Sequence, residues 1–268
     1  MTDRGTPSTR EWNASVYHRV SDPQFTWGKA VLDRLTLHGN ETVFDVGCGT
    51  GRLTEVLAER LPHGRAIGVD QSANMLGTAR TAMRASVRGR VAFVRADAAA
   101  LPVTGRADAI FSTATFHWVR DHNRLFRSLF AALTPGGRLV AQCGGGPNIK
   151  RHHDRAAALM QQPPFAPFYR TWTDPWEYAD ADTTKARLAA AGFADIMTRV
   201  VPAPTVFPDR ASFVEFVTNV IFRQHIAPLP DEARKRAFVD ALADQSAADP
   251  VPFEVDYWRL DFDATRPR

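Results

Sequence analysis

The segment VFDVGCGTG, residues 43–51, decides the fold of this 268-residue chain. An apolar run leads through Asp45 into three glycines, Gly47, Gly49 and Gly51. Glycine is needed at such a turn because the backbone bends sharply out of a strand and a ligand approaches where a Cβ would otherwise stand. The spacing is GxGxG, whereas the dinucleotide fingerprint GxGxxG places its third glycine one residue later. The segment therefore predicts a ligand-binding turn between a strand and a helix, with a spacing that does not suit a pyrophosphate.

Outward from this turn, short β-rich runs alternate with helical segments as far as Gly144. The predicted strands are TVFDVG, RAIGVD, VAFVRAD, ADAIFSTAT and GRLVAQCG, and the predicted helices between them cover 52–61, 73–87 and 123–133. Strands that alternate with helices of about ten residues are typical of βαβ units and a parallel sheet. The pattern predicts a doubly wound α/β fold.

The alternation is interrupted after Gly144. We predict helices over 152–160, 183–191, 212–223 and 231–244, an aromatic and Pro-rich stretch over 161–178, and strands over 193–207 and 252–262. The core is thus expected to carry two insertions on its ligand side, before and after the penultimate strand. We divide the chain into an N-terminal helical segment (1–41), a ligand-binding core (42–146) and a region of cap insertions with the remaining core elements (147–268).

Composition and charge predict a soluble, cytoplasmic protein. Two cysteines, a polar N-terminus and the lack of a long apolar run argue against secretion and membrane insertion. The net charge is +4, but arginines are spread along the chain, so nucleic-acid binding is not expected. Arg80, Arg84 and Arg88 recur every four residues, which predicts a solvated face of one helix.

Two acidic residues end the strands that follow the glycine turn. Asp70 can accept both ribose hydroxyls of an adenosine ligand, whether that ligand is NAD or another adenosine compound. Asp97 can accept the exocyclic amine of adenine, while Ala98 offers its backbone amide. For each acid alone, a helix N-cap is the alternative role.

Together these residues resemble the class I S-adenosylmethionine-dependent methyltransferases, whose pattern is E/DxGxGxG followed by an acid after each of the next two strands. The resemblance covers about 42–144 and implies a Rossmann-like sheet of seven strands, the last antiparallel, with S-adenosylmethionine as cofactor. It implies that Gly47 and Gly49 approach the methionine part, Asp70 the ribose and Asp97 the adenine. The full set implied at the cofactor is Tyr17, Asp45, Gly47, Cys48, Gly49, Gly51, Asp70, Gln71, Met75, Asp97, Ala98 and Thr113.

Two further segments, FSTATFHWVRDH and EWNASVYHRVSDPQFTWGKAVLDRL, look like the trans-aconitate methyltransferase group, which methylates a carboxylate of a small organic acid. This resemblance implies that Tyr17 and Gln24 belong to a helical segment over the cofactor and that Trp118 lies beside the methyl group. The Gln24 amide and the Trp118 indole can each donate a hydrogen bond to the reacting carboxylate. An arginine such as Arg170 or Arg223 is expected at a second, remote carboxylate.

The expected reaction is direct methyl transfer to a carboxylate oxygen, which is ionised at neutral pH and needs no base. One alternative is an O-, N- or C-methyltransferase of a natural-product or lipid precursor with His117 as base. Others are an NAD-dependent oxidoreductase and a non-catalytic adenosine-binding protein. Cys48 is interpreted as a packing residue. No metal site is expected, because the adjacent histidines of the His152-His153-Asp154 run point to different faces of a helix.

Overall fold

In the part of the chain that the structure describes, seven of the nine strands form one mixed sheet, which is the core of the molecule. The computed structural model describes residues 22–268, with side chains from residue 25 onward. The strands are β1 (Thr42–Val46), β2 (Arg65–Asp70), β3 (Val91–Arg95), β4 (Ala107–Thr113), β5 (Leu133–Gly144), β6 (Ala194–Pro202), β7 (Thr205–Val206), β8 (Glu254–Val255) and β9 (Trp258–Thr265). The large sheet has the order β3-β2-β1-β4-β5-β9-β6, and β7 pairs with β8 in a separate ribbon.

Strands β1 to β5 run parallel, whereas β9 is antiparallel to both of its neighbours. Strand β1, at the centre, is buried along almost its whole length, as expected where helices cover both faces of a sheet. The predicted α/β sheet of seven strands with the last one antiparallel is therefore confirmed. Strand β9 lies between β5 and β6, and this register places Arg259 opposite Gly144.

Helices cover both faces of the sheet and build the insertions. They are α1 (Asp22–Leu32), α2 (Arg52–Glu59), α3 (Ala73–Ala82), α4 (Ala85–Arg88), α5 (His122–Ala132), α6 (Lys150–Met160), α7 (Ala181–Ala190), α8 (Arg210–Phe216), α9 (Arg223–Ile226) and α10 (Glu232–Ala247). Short 3₁₀ turns lie at Ala98–Ala100, Phe116–Trp118 and Ala166–Phe168, and a π turn at Val217–Ile221. None of the helices in this described part of the chain has the length and apolar character that a bilayer crossing requires.

The predicted helix over 73–87 is wrong, because the chain leaves the helical conformation at Met83, whose ψ is 126° and whose side chain is buried. The three arginines at 80, 84 and 88 therefore do not line one helix. Arg84 is the N-cap residue before α4 and forms ion pairs with Glu55 and Glu59 of α2. The regular spacing of these arginines therefore spans two short helices, α3 and α4, which are separated by a break at Met83.

Both predicted C-terminal strands have different bounds in the structure. The run predicted over 193–207 divides after Pro202, because Pro202 and Pro204 cannot donate a backbone hydrogen bond to a sheet ladder. The last strand begins at Trp258 and not at 252, since Glu254 and Val255 pair with β7 instead.

The two insertions, 145–180 and 203–257, fold together into a helical layer that we call the cap. Their large side chains share one apolar cluster that is separate from the clusters on the two faces of the sheet. Phe165 of the first insertion meets Phe238 of the second edge to face, with ring centroids 5.2 Å apart. Such aromatic pairs add about 0.5–1.5 kcal/mol beyond burial, so the insertions stabilise one another.

Candidate functional site

A cavity of about 430 Å³ lies between the carboxyl ends of the parallel strands and the cap. It opens where the strand order reverses between β1 and β4, the position at which ligands bind in open α/β sheets. On its sheet side the lining includes Gly47, Gly49, Asp70, Gln71, Met75, Asp97, Ala98, His117 and Trp118. On its cap side the lining includes Asn148, Ile149, Trp176, Tyr178, Val220, Ile221 and Tyr257, and Arg259 of β9 completes the wall.

Gly47 and Gly49 have different roles in the glycine turn that follows β1. Gly47 has a φ of +80°, and a Cβ built on it would lie 2.0 Å from Thr115 Oγ1. Gly49 also has a positive φ, +52°, but a Cβ there would meet no atom of the described residues within 4 Å. Gly47 is therefore fixed by packing against Thr115, whereas Gly49 keeps the cavity wall open.

Four of the predicted cofactor residues do not line the cavity, and they are Asp45, Cys48, Gly51 and Thr113. Asp45 lies beneath the turn and accepts a hydrogen bond from Thr54 Oγ1 at 2.6 Å. Burial raises the pKa of this carboxyl to about 7. Burial likewise raises the pKa of the Cys48 thiol, which agrees with a packing role. Asp45 and Cys48 are thus buried at the turn and do not face the cavity.

The two acids after β2 and β3 both cap backbone amides and face the cavity. Asp70 Oδ2 accepts from the Gly49 amide at 2.9 Å, and Oδ1 accepts from the Ser72 amide at 2.8 Å. Asp97 Oδ1 accepts from the Ala99 amide at 2.9 Å. The capping role and the ligand role are therefore compatible, because each carboxylate oxygen has a second lone pair to offer.

His117 is held as a neutral hydrogen-bond donor. Its Nδ1 accepts from the Gly144 amide at 3.2 Å, so the proton of the neutral ring is assigned to Nε2. Burial, with a smaller effect of the nearby Arg259 charge, lowers the pKa of His117 to about 3. Because Nδ1 is engaged and the ring is a very weak base, His117 is not suited to remove a proton from a substrate.

Arg259 places a positive charge in the wall of the cavity. The residue is only 4% exposed, and its guanidinium carbon lies 3.7 Å from the ring centroid of Trp27 and 4.4 Å from that of Tyr257. A guanidinium carries five donors in a planar fork, so it can bind a carboxylate while it stacks on aromatic rings.

The role of Arg259 could not be predicted from the sequence, because its position in the cavity wall depends on the pairing of β9 with β5. The expectation of Arg170 or Arg223 in this role is not met: Arg170 is exposed, and neither residue lines the cavity.

Of the other predicted site residues, Trp118 lies beside His117, with ring centroids 5.3 Å apart. Tyr17 and the side chain of Gln24, which belongs to α1, lie outside the described residues.

Comparison with known proteins agrees with this geometry. Residues 43–137 match the family model described as a methyltransferase domain. The chain is 32% identical to trans-aconitate 2-methyltransferase of Paracidovorax citrulli, over 86% of this chain and 87% of that protein. It is 31% identical to trans-aconitate 2-methyltransferase of Variovorax paradoxus, over 82% of this chain and 83% of that protein.

Solved structures show the same fold at lower identity. Phosphoethanolamine N-methyltransferase 2 of Haemonchus contortus, in complex with S-adenosyl-L-methionine, superposes with a TM-score of 0.61 at 17% identity; the alignment covers 95% of this chain and 57% of that chain. Geranyl diphosphate C-methyltransferase of Streptomyces coelicolor, in complex with S-adenosyl-L-homocysteine, gives a TM-score of 0.53 at 19% identity; the alignment covers 98% of this chain and 86% of that chain. At these identities the likeness concerns the fold alone.

Proposed function

This chain belongs to the class I S-adenosylmethionine-dependent methyltransferases, and from that premise we propose that its acceptor is a carboxylate oxygen of a small organic acid. The observation that carries the proposal is Arg259, a buried cation in the wall of the cavity. Moving a carboxylate from water into a buried site is favourable only where a positive charge in that site pairs with it. The names of the relatives from Paracidovorax citrulli and Variovorax paradoxus, which refer to the organic acid trans-aconitate, support the same class of acceptor.

The cofactor side of the cavity fits S-adenosylmethionine. We assign the ribose hydroxyls to Asp70, the adenine amine to Asp97 and the adenine ring nitrogen to the Ala98 amide. The missing Cβ of Gly49 leaves room for the methionine part. When bound, the cofactor would supply a methyl group on a positively charged sulfur, and S-adenosylhomocysteine would be the leaving group when the acceptor oxygen takes that methyl group. In this assignment Asp45 is a positioning residue, because it acts on the turn through Thr54.

The acceptor side orients an anion without removing a proton. A carboxylic acid with a pKa of about 4 is already ionised at neutral pH, so the reacting oxygen needs no general base. We assign one carboxylate of the acid to Arg259 and the aiming of the reacting oxygen to neutral donors, namely Trp118, the Gln24 amide and Nε2–H of His117. Catalysis then rests on positioning and on the exclusion of water by the cap.

The proposal predicts that the transferred methyl group forms a base-labile ester. Purified enzyme is incubated with radiolabelled S-adenosylmethionine and a panel of di- and tricarboxylic acids and fatty acids, and the products are treated with mild alkali. Label released as volatile methanol supports the ester. Label that survives alkali would overturn the carboxylate assignment.

Substitution of Arg259 tests the proposed acceptor site directly. We expect Arg259→Met to raise KM for the best acid about tenfold to a hundredfold, because a charge-assisted pair is lost. The affinity for S-adenosylhomocysteine should be nearly unchanged. Arg170→Met, which changes an exposed arginine outside the cavity, is the matched control.

A second prediction separates this mechanism from the alternative with His117 as base. Because the pKa of His117 is about 3, the ring is neutral throughout the range in which the enzyme is assayed. We expect His117→Gln, which keeps a donor, to change kcat/KM less than about tenfold, and its pH profile to run parallel to that of the wild type. Loss of a general base would lower the rate by about 10²–10⁴-fold. A drop of that size, with a lost ionisation, would restore the base mechanism.

The same pKa shift has a consequence for folding. The unfolded chain binds a proton at His117 near its ordinary pKa of 6.5, whereas the folded chain does so only near 3, so stability falls as pH falls between those values. The slope for one such group is about 1.4 kcal/mol per pH unit. Denaturant unfolding of the His117→Gln variant should therefore show a shallower loss of stability below about pH 6.5 than the wild type.

A further inference from the structure

Three side chains with metal-binding atoms meet in the cap, and the reaction described above uses none of them. They are His153 of α6, Asp174 in the loop that follows the first insertion's 3₁₀ turn, and His225 of α9. One ring nitrogen of each histidine and one carboxylate oxygen lie within 4.8 Å of one another. In the sequence His153 stands between His152 and Asp154, but in the structure His152 turns away from the cluster and forms a hydrogen bond with Asp256.

His225 is the most constrained member of this cluster. The residue is 1% exposed, and its ring lies between Trp172 and Trp176, at centroid distances of 4.9 Å and 4.6 Å. Its Nδ1 is buried and forms no hydrogen bond within the described part of the chain. Buried polar atoms without a partner are uncommon in proteins and need an explanation. Neutral imidazole is the commonest metal ligand in proteins, so coordination is one role that such a ring can serve.

We propose that His153, Asp174 and His225 bind one zinc(II) ion, or a similar divalent transition-metal ion, in the cap. Two imidazoles and a carboxylate are ligands that zinc accepts, with water in the fourth position, whereas magnesium and calcium prefer sites built of oxygen alone. His153 and Asp174 have side chains that are 35% and 37% exposed, which gives the ion access from solvent and leaves space for that water.

Coordination requires small movements in the cluster. Ligand atoms around a tetrahedral zinc ion lie about 3.3 Å apart, so side-chain rotation must bring the most distant pair closer by at most about 1.5 Å. His153 Nε2 and Asp174 Oδ2 now share a hydrogen bond. The proton between them passes to the other ring nitrogen or to water when both atoms turn to the ion.

The ion would connect the cap to the wall of the cavity. His153 and Asp174 belong to the first insertion and His225 to the second, so one ion joins the two. Asp174 Oδ1 also accepts from the Trp176 amide at 2.9 Å. The Trp176 side chain lines the cavity and lies 5.8 Å from Trp118, centroid to centroid. A bound ion therefore holds the aromatic wall of the acceptor side in place.

The test titrates the tag-free, full-length chain with zinc chloride by calorimetry and with cobalt(II) by visible absorption. We expect one ion per chain. His153→Gln and Asp174→Asn should each weaken zinc binding at least about tenfold and remove the rise in melting temperature that zinc gives the wild type. His63→Gln, an exposed histidine on the loop before β2, is the control and should bind like the wild type.

The test uses substitutions of the half-exposed His153 and Asp174, because substitution of the buried His225 is expected to disturb folding. Absence of zinc binding at one ion per chain would overturn the proposal. So would equal zinc affinity in the wild type and in both cluster variants, because the ion would then be bound elsewhere. Neither result bears on methyl transfer, which is measured separately with the radiolabelled cofactor.

Discussion

Asp70→Ala is expected to weaken S-adenosylhomocysteine binding at least about a hundredfold. The carboxylate faces the cavity, and we assign both ribose hydroxyls to it. Two charge-assisted hydrogen bonds are worth about 1.5–3 kcal/mol each, or about 3–6 kcal/mol together. The same side chain also holds the Gly49 and Ser72 amides, so its removal loosens the glycine turn. Calorimetric titration of the variant gives the dissociation constant directly.

Asp97→Ala is the comparison for this result. Adenine keeps the Ala98 amide and apolar contacts when the Asp97 side chain is removed, so a loss of about tenfold is expected. Asp182→Ala, an exposed acid outside the cavity, should bind with wild-type affinity. Equal losses for the two cavity acids would show that the ribose does not lie against Asp70.

Gly47→Ala is expected to lower the free energy of unfolding by about 2–5 kcal/mol. A left-handed φ costs a residue with a Cβ about 1–2 kcal/mol, and overpacking typically adds about 1–3 kcal/mol. Both apply here, since φ is +80° and the new methyl group would lie 2.0 Å from Thr115 Oγ1. Urea unfolding followed by circular dichroism measures the change.

Gly49→Ala separates packing from ligand space at the same turn. Its φ of +52° carries the left-handed cost, but in the part of the chain that the structure describes no atom lies within 4 Å of the added methyl group. We expect a loss of only about 1–2 kcal/mol in stability, together with at least about a tenfold loss of S-adenosylhomocysteine affinity, because the methyl group would enter the cavity. If Gly49→Ala were the more destabilising variant, the packing account of the turn would fail.

The sheet side of the cavity could be predicted from the sequence because its determinants are local. Each predicted parallel strand ends in a glycine turn, an acid or a small residue, and parallel strands bring those ends to one edge of the sheet. Gly47, Asp70 and Asp97 therefore meet without any knowledge of distant contacts. The helix break at Met83 is the exception, since burial of one side chain overrode a continuous helical pattern.

The cap side of the cavity and the position of Arg259 could not be predicted in this way. Arg259 faces the cavity because β9 pairs with β5 and because Trp27 of α1 stacks on its guanidinium. His153 and His225 meet only when the two insertions share a core. These contacts join segments far apart in sequence, and alternation of apolar residues carries no information about which distant segments will meet.

The position of β9 also imposes an order on the folding of the newly synthesised chain. The strand that pairs with β5 is translated only after both insertions, so a nascent chain must keep one side of β5 open while most of the cap emerges from the ribosome. Closing so long a loop is slow compared with local pairing of β1 to β5. The sheet side of the cavity can thus assemble early, whereas the wall that carries Arg259 is completed only when β9 pairs with β5.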